Sequence, residues 1–189
     1  THPPPPPPPL TSPASPPPPP PPLGSVTLPA ADGSPVTMTA PRGGLRVVYF
    51  GYTFCPDVCP TTMLNLKRAI AQLPAGDVPR LTVDMVTIDP SRDTAAKLTE
   101  YVTTFVPTAT AVRTEDQTAL RAATRAFGAD YEVRVGADGE EEVSHTGDLY
   151  AVDDRGVGHP AWRLGAQPPD PARPPARRPG GARPPPPGP

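Results

Sequence analysis

The chain has 189 residues, and its 36 prolines are unevenly spread: residues 1–22 hold 15 and residues 160–189 hold 12. This leaves one stretch of ordinary composition, residues 23–159, long enough for one sizeable core and too short for two ordinary domains. That stretch carries 12 Lys and Arg against 18 Asp and Glu, a net charge of −6, which argues against a nucleic-acid partner. No run of about 18 apolar residues exists, so no segment is expected to span a bilayer. No signal-peptide pattern is visible. The first residue is Thr1, consistent with a processed form or a fragment.

Residues 1–22 are two runs of seven prolines around a short spacer. Proline lacks the backbone donor that sheets and helix interiors need, and such runs favour stiff polyproline II. A linker or spacer is expected there, with a ligand for a proline-binding domain as the alternative. Residues 160–189 carry five Arg and one Asp among their prolines and glycines and are expected to be a disordered, solvated tail.

Ser25–Leu28 and Pro35–Met38 flank Ala31-Asp32-Gly33, a hairpin signal. Leu45–Phe50 is nearly continuous in apolar character and fits a strand buried on both faces. A helix is expected over about Thr61–Leu73, where Met63, Leu66, Ile70 and Leu73 share one face. Leu81–Ile88 is a second strand, stopped by Asp89-Pro90. Ala95, Leu98, Val102 and Phe105 mark a second helix, and Leu120, Ala123 and Phe127 a third, ended by Gly128. Between them Ala109–Val112 is a short strand. Tyr131–Val135 and Asp148–Asp153 are expected to pair as the last two strands, joined through Ala137-Asp138-Gly139 and an acidic segment. Strands alternating with helices imply an α/β sheet with parallel members.

The only two cysteines, Cys55 and Cys59, lie between the buried strand and the first helix. In an open α/β sheet, ligands bind at that place. A four-residue step brings the sulfurs about one helical turn apart, close enough for a disulfide or for two ligands on one ion. The spacing alone does not separate redox chemistry from metal binding. Of the three histidines, His2 sits in the first arm and His159 at the edge of the tail. His145 precedes the last predicted strand and can complete a three-ligand site. Two soft sulfurs and one imidazole suit copper, and Cu(I) accepts three ligands; zinc usually wants a fourth.

The segment Gly51–Met63, with its Cys55-Pro56-Asp57-Val58-Cys59-Pro60 core, resembles the signature of the Sco/SenC copper chaperones. Ile88–Thr94 resembles that family's second motif, and His145 followed by Leu149–Asp153 its third. The resemblance covers roughly residues 23–157. It implies a thioredoxin-like fold, here with an N-terminal β-hairpin and flanking proline-rich arms, and copper, as Cu(I) or Cu(II), held by Cys55, Cys59 and His145. It also implies delivery of copper to the dinuclear centre of cytochrome c oxidase subunit II, reduction of that subunit's cysteines, or both. A thiol reductant or a copper donor protein would then be a further partner, and the domain would work outside the cytoplasm on a membrane tether. Two other readings stand beside it. One is a thiol–disulfide oxidoreductase or thiol peroxidase using Cys55 and Cys59 without copper. The other is an interaction module in which the proline arms dominate. The sequence departs from the family pattern at Ser144, where an acidic residue is common, and at Val112-Arg113-Thr114, where a Thr-Gly-Thr stretch is common. It also departs after Gly158, where the family continues into a C-terminal helix and this chain turns rich in Pro, Arg and Gly.

Overall fold

In the computed structural model, residues 22–135 and 141–162 are described. The two proline-rich arms and the Ala137-Asp138-Gly139 connection lie outside them, apart from the last residue of the first arm and the first three of the second. A small antiparallel hairpin, β1 (Thr27–Pro29) and β2 (Pro35–Thr37), opens the fold. The turn it needs is supplied by Gly33 at φ 87°, a left-handed conformation that suits glycine.

The centre is a five-stranded sheet in the order β5-β4-β3-β8-β9. Its middle strand is β3 (Leu45–Gly51), with Val47, Val48, Tyr49 and Phe50 all buried. Burial on both faces matches the unbroken apolar run of its sequence. β4 (Leu81–Thr87) pairs with β3 in parallel, and β5 (Thr110–Val112) pairs with β4 in parallel. β8 (Leu149–Asp153) is antiparallel to β3, and β9 (Gly158–Trp162) is antiparallel to β8.

Three helices complete the unit. α1 (Val58–Ile70) follows β3, α2 (Ala95–Phe105) follows β4, and α3 (Gln117–Phe127) follows β5. Two of them start on side-chain caps: Thr94 Oγ1 accepts from Lys97 N, and the Asp116 carboxylate accepts from the N–H groups of Thr118 and Ala119. Gly128 ends α3 at φ 67°. α1 begins three residues earlier than its apolar spacing predicts, and the chain leaves the helix before Leu73. Pro60 does not prevent this, because the first helical turn needs no N–H there. Successive side chains of β3 point to opposite faces. Val47 shares a face with Leu149 and with Leu66 and Ile70 of α1. On the other face, Phe50 meets Phe127 of α3 and Tyr150 edge to face, at ring-centroid distances of 5.3 and 5.9 Å.

The C-terminal strands differ from the expected pairing. β6 (Tyr131–Val135) pairs not with Asp148–Asp153 but with β7 (Glu141–His145), a strand made by the end of the acidic segment. This hairpin forms a separate two-stranded sheet, while β8 is taken up between β3 and β9. Glu141, Glu142 and Ser144 hid β7, because their polar residue types interrupt the apolar alternation that marks a strand. Regular structure also continues to Trp162, past the boundary that proline content sets at 159. An edge strand tolerates Pro160, and the register of β9 shifts between Leu149 and Ala151. An apolar cleft of about 150 Å³ remains beside α1, lined by Leu45, Val47, Ile70, Leu73, Leu149 and Ala151 among others.

Candidate metal centre

Gly51 ends β3 against the site, and its lack of a side chain matters. A Cβ there would sit 2.6 Å from Tyr49 Cε1 and 3.1 Å from Cys59 Sγ. The chain then turns through Tyr52-Thr53-Phe54 into Cys55 and enters α1, whose second residue is Cys59. Asp57, in the N-cap position, makes no side-chain cap to the helix N–H groups. Instead the sulfur of Cys55 accepts the N–H of Cys59 at 3.3 Å. The sulfur thus answers one of the orphan donors at the positive end of the helix, a position that favours its thiolate.

His145 ends β7 and reaches this pair from a different sheet. Its Nε2 lies 3.4 Å from Cys59 Sγ. The ligand atoms of Cys55, Cys59 and His145 all fall within 4.8 Å of one another, and they are the one such cluster of three among the described residues. His159 is not part of it; it lies on β9 and faces Asp153 at 3.6 Å. His2 lies outside the described residues.

The imidazole is held in one tautomer. Its Nδ1 is 3.0 Å from the carbonyl of Thr146. A carbonyl only accepts, so Nδ1 carries the proton and donates it, leaving the Nε2 lone pair turned to the sulfurs. The family's acidic residue before the histidine is therefore not needed to orient the ring: Ser144 is exposed and the backbone does the work. Tyr49 and Tyr52 set their rings edge-on to the imidazole at 6.1 and 5.7 Å. The Tyr52 hydroxyl donates to the carbonyl of Val143 at 3.1 Å, tying the cysteine loop to the histidine strand.

The two thiols differ. Burial pushes the Cys55 thiol up, but hydrogen bonds from the N–H groups and side chains of Cys59 and its neighbours outweigh burial and leave it below the ordinary thiol value. Burial dominates at Cys59 and raises it to about 12. Burial lowers the basicity of His145 and so favours the neutral, ligating imidazole, an effect that its bond to Thr146 partly offsets.

The second motif supports the site from beneath. Asp93, with none of its surface exposed, accepts from Thr53 N at 3.1 Å, from Thr53 Oγ1 at 2.5 Å and from Thr87 Oγ1 at 2.6 Å. It fastens the loop before Cys55 to the end of β4. Arg113 donates to the carbonyls of Asp93 and Pro90 at 2.7 and 2.9 Å and so braces the segment after β4 that carries Asp93. Sequence reasoning marked Asp93 as part of a motif without a role. Tyr49, Tyr52, Thr53 and Thr146 escaped notice as site residues, since nothing in their spacing links them to His145.

The donor set fits a soft metal. Two sulfurs and an unprotonated imidazole nitrogen converge in a buried place, and no fourth His, Cys, Asp or Glu joins them among the described residues. Three ligands of this kind suit Cu(I) better than a structural zinc.

Residues 19–162 match the family model SCO1/SenC. The sequence is 31% identical over 118 residues to the SCO2-like protein RP587 of Rickettsia prowazekii, covering 61% of this chain and 56% of that one. It is 40% identical over 67 residues to the mitochondrial SCO2 homolog of Bos taurus, covering 35% and 25%. The chain thus spans little more than half the length of the bacterial relative. Among solved structures, apo Sco1 of Thermus thermophilus superposes with a TM-score of 0.63 at 31% identity, covering 74% of this chain and 80% of that one. ScoI of Bradyrhizobium japonicum with copper bound also gives 0.63, at 25% identity, covering 74% and 87%. The matched segment takes in both cysteines, the histidine and every strand of the central sheet, so the chain belongs to the SCO1/SenC family and has its thioredoxin-like fold.

Proposed function

We propose that this chain is a copper-binding metallochaperone. Cys55, Cys59 and His145 hold the copper as cargo. The recipient is the dinuclear copper site of cytochrome c oxidase subunit II, to which the chain delivers copper, whose cysteines it reduces, or both. The observation that carries this reading is the convergence of two sulfurs and one imidazole nitrogen within 4.8 Å. The copper-bound relatives support it, and so does the tautomer imposed by Thr146, which leaves Nε2 free to ligate. In the family setting the domain works outside the cytoplasm on a membrane tether, with the proline-rich residues 1–22 as a spacer and the folded part beginning near residue 23. No helix among the described residues is long and apolar enough to cross a membrane.

A second reading rests on the cysteines alone. The sulfur of Cys55 sits at the start of α1, where the Cys59 N–H favours its thiolate, an arrangement also suited to thiol–disulfide exchange. Copper per chain in the reduced protein decides between them. The metallochaperone binds about one copper, loses it in Cys55→Ser and Cys59→Ser, and holds it far more weakly in His145→Ala. It keeps its ability to reduce a test disulfide in the histidine variant, because imidazole supplies a ligand and no electrons. Absence of copper in the reduced parent, with disulfide reduction intact, favours the oxidoreductase.

A further inference from the structure

The sulfurs themselves are nearly inaccessible: Cys59 is fully buried and Cys55 is 9% exposed. The large apolar side chains that stand in solvent next to them in the chain are Phe54 and Val58, 50% and 49% exposed. A large apolar side chain half in water, one residue from a buried ligand, has no use in the core of this domain. It is also not left loose. The guanidinium of Arg92 and the ammonium of Lys97 lie over the Phe54 ring at 5.3 and 5.1 Å, and Asp93 anchors the preceding Thr53. Arg92 further pairs with Asp89. Beside Val58 a cleft of about 460 Å³ runs along His145, lined by Asp57, Thr61, Thr62 and Gly147. An aromatic side chain and an arginine on a pre-ordered loop are the composition of an interface hot spot.

The charge of this rim selects the partner. Residues 23–159 carry a net −6, Arg92 beside Phe54 is already paired with Asp89, and Asp57 lies on the cleft side, so the available cation at the Phe54 ring is Lys97. We propose that Phe54 and Val58, flanked by Lys97, are the docking face for a partner protein that presents an apolar contact next to a carboxylate and its own pair of thiols. The apolar contact seats on Phe54 and Val58, the carboxylate meets Lys97, and the thiols enter the cleft beside His145. This inference rests on the copper-handling reading above and adds to it how the recipient is recognised.

The test uses the full chain, reduced and loaded with Cu(I), and two synthetic acceptor peptides. Each peptide has two cysteines and a leucine, flanked by glutamates in one and by lysines in the other. Transfer to the acidic peptide is expected to be about tenfold faster at low salt, and the gap should close near 1 M salt, where screening acts over about 3 Å. Phe54→Ala should slow transfer to the acidic peptide by about fivefold or more. Lys97→Glu should abolish the preference. Both variants should release copper to a small chelator at the parent's rate, which shows that the site itself is intact. Equal rates for the two peptides, or a preference that survives in both variants, overturns the proposal. So does Lys97-dependent binding to phosphatidylglycerol vesicles without a peptide preference, which would make this face a lipid contact. A parent that binds no copper overturns the functional reading instead. Binding of the same peptides to the metal-free chain and to the two variants then decides the docking face on its own.

Discussion

Replacing Asp93 with alanine removes one carboxylate and strands three donors. Thr53 N–H, Thr53 Oγ1 and Thr87 Oγ1 all donate to it, and Thr87 and Asp93 are both fully buried. Hydrogen bonds to a charged group contribute about 1.5–3 kcal/mol each. The two hydroxyls can turn to other acceptors, whereas the Thr53 N–H is fixed by the backbone. The net loss is therefore about 3–5 kcal/mol, a large part of the ~5–15 kcal/mol that holds a domain of this size together. Asp93→Asn keeps one acceptor oxygen and should cost about 1–2 kcal/mol, so it folds and reports on the site. Because Thr53 is two residues from Cys55, loosening it spreads the positions of the two sulfurs. Cu(I) affinity of Asp93→Asn should fall by about tenfold, the effect seen when residues that orient metal ligands are altered. Denaturant unfolding of the metal-free protein and competition with a Cu(I) chelator measure the two effects. A stability loss with unchanged copper affinity would refute the link between the second motif and the metal loop. Unchanged stability in Asp93→Ala would refute the hydrogen-bond account itself.

Two further outcomes concern the sheet and its edge. Arg46 pairs with Asp84, whose side chain is fully buried between β3 and β5. Arg46→Leu should cost about 3–5 kcal/mol at pH 7, because it leaves a buried carboxylate unpaired, and adding Asp84→Leu should restore most of it. Burial already holds the Asp84 carboxyl above the usual carboxylate range against the pull of Arg46. In Arg46→Leu it rises further, so the penalty should shrink as pH falls below 7 and Asp84 takes up a proton; a penalty independent of pH contradicts this. Asp153 behaves in the opposite way. The N–H of Val157, with help from Arg155, lowers its carboxyl from 3.8 to about 2. Its contribution to stability is present above about pH 4 and is lost as pH falls toward 2. Unfolding curves of Asp153→Asn should lack that acid-side loss, and an unchanged slope between pH 4 and 2 would remove the assignment.

Legibility of the sequence followed burial. β3, with an unbroken apolar run, and α2 and α3, with clear apolar spacing, lie close to where their sequences place them, since each buries a face that its pattern announces. β7 was not legible. It carries Glu141, Glu142 and Ser144, which interrupt the apolar pattern, and it pairs only with β6. β9 was obscured by Pro160, which an edge position tolerates. The cysteine pair was readable from local spacing; its meeting with His145, 86 residues on from Cys59, was read from ligand chemistry and strand position, and the family resemblance implied it too. The groups that orient the ligands were hidden for a different reason. A backbone carbonyl at Thr146 and a hydroxyl at Tyr52 act through tertiary geometry, and neither residue type by itself points to a metal.

The most direct test of the account is X-ray absorption on the reduced chain loaded with one equivalent of Cu(I). The account predicts two sulfurs at about 2.3 Å and one nitrogen at about 2.0 Å, values borrowed from zinc sites with the same donors. His145→Ala should lose the nitrogen shell and keep both sulfurs. A shell of sulfur alone in the parent, or a nitrogen shell that persists unchanged without His145, would contradict the three-ligand site.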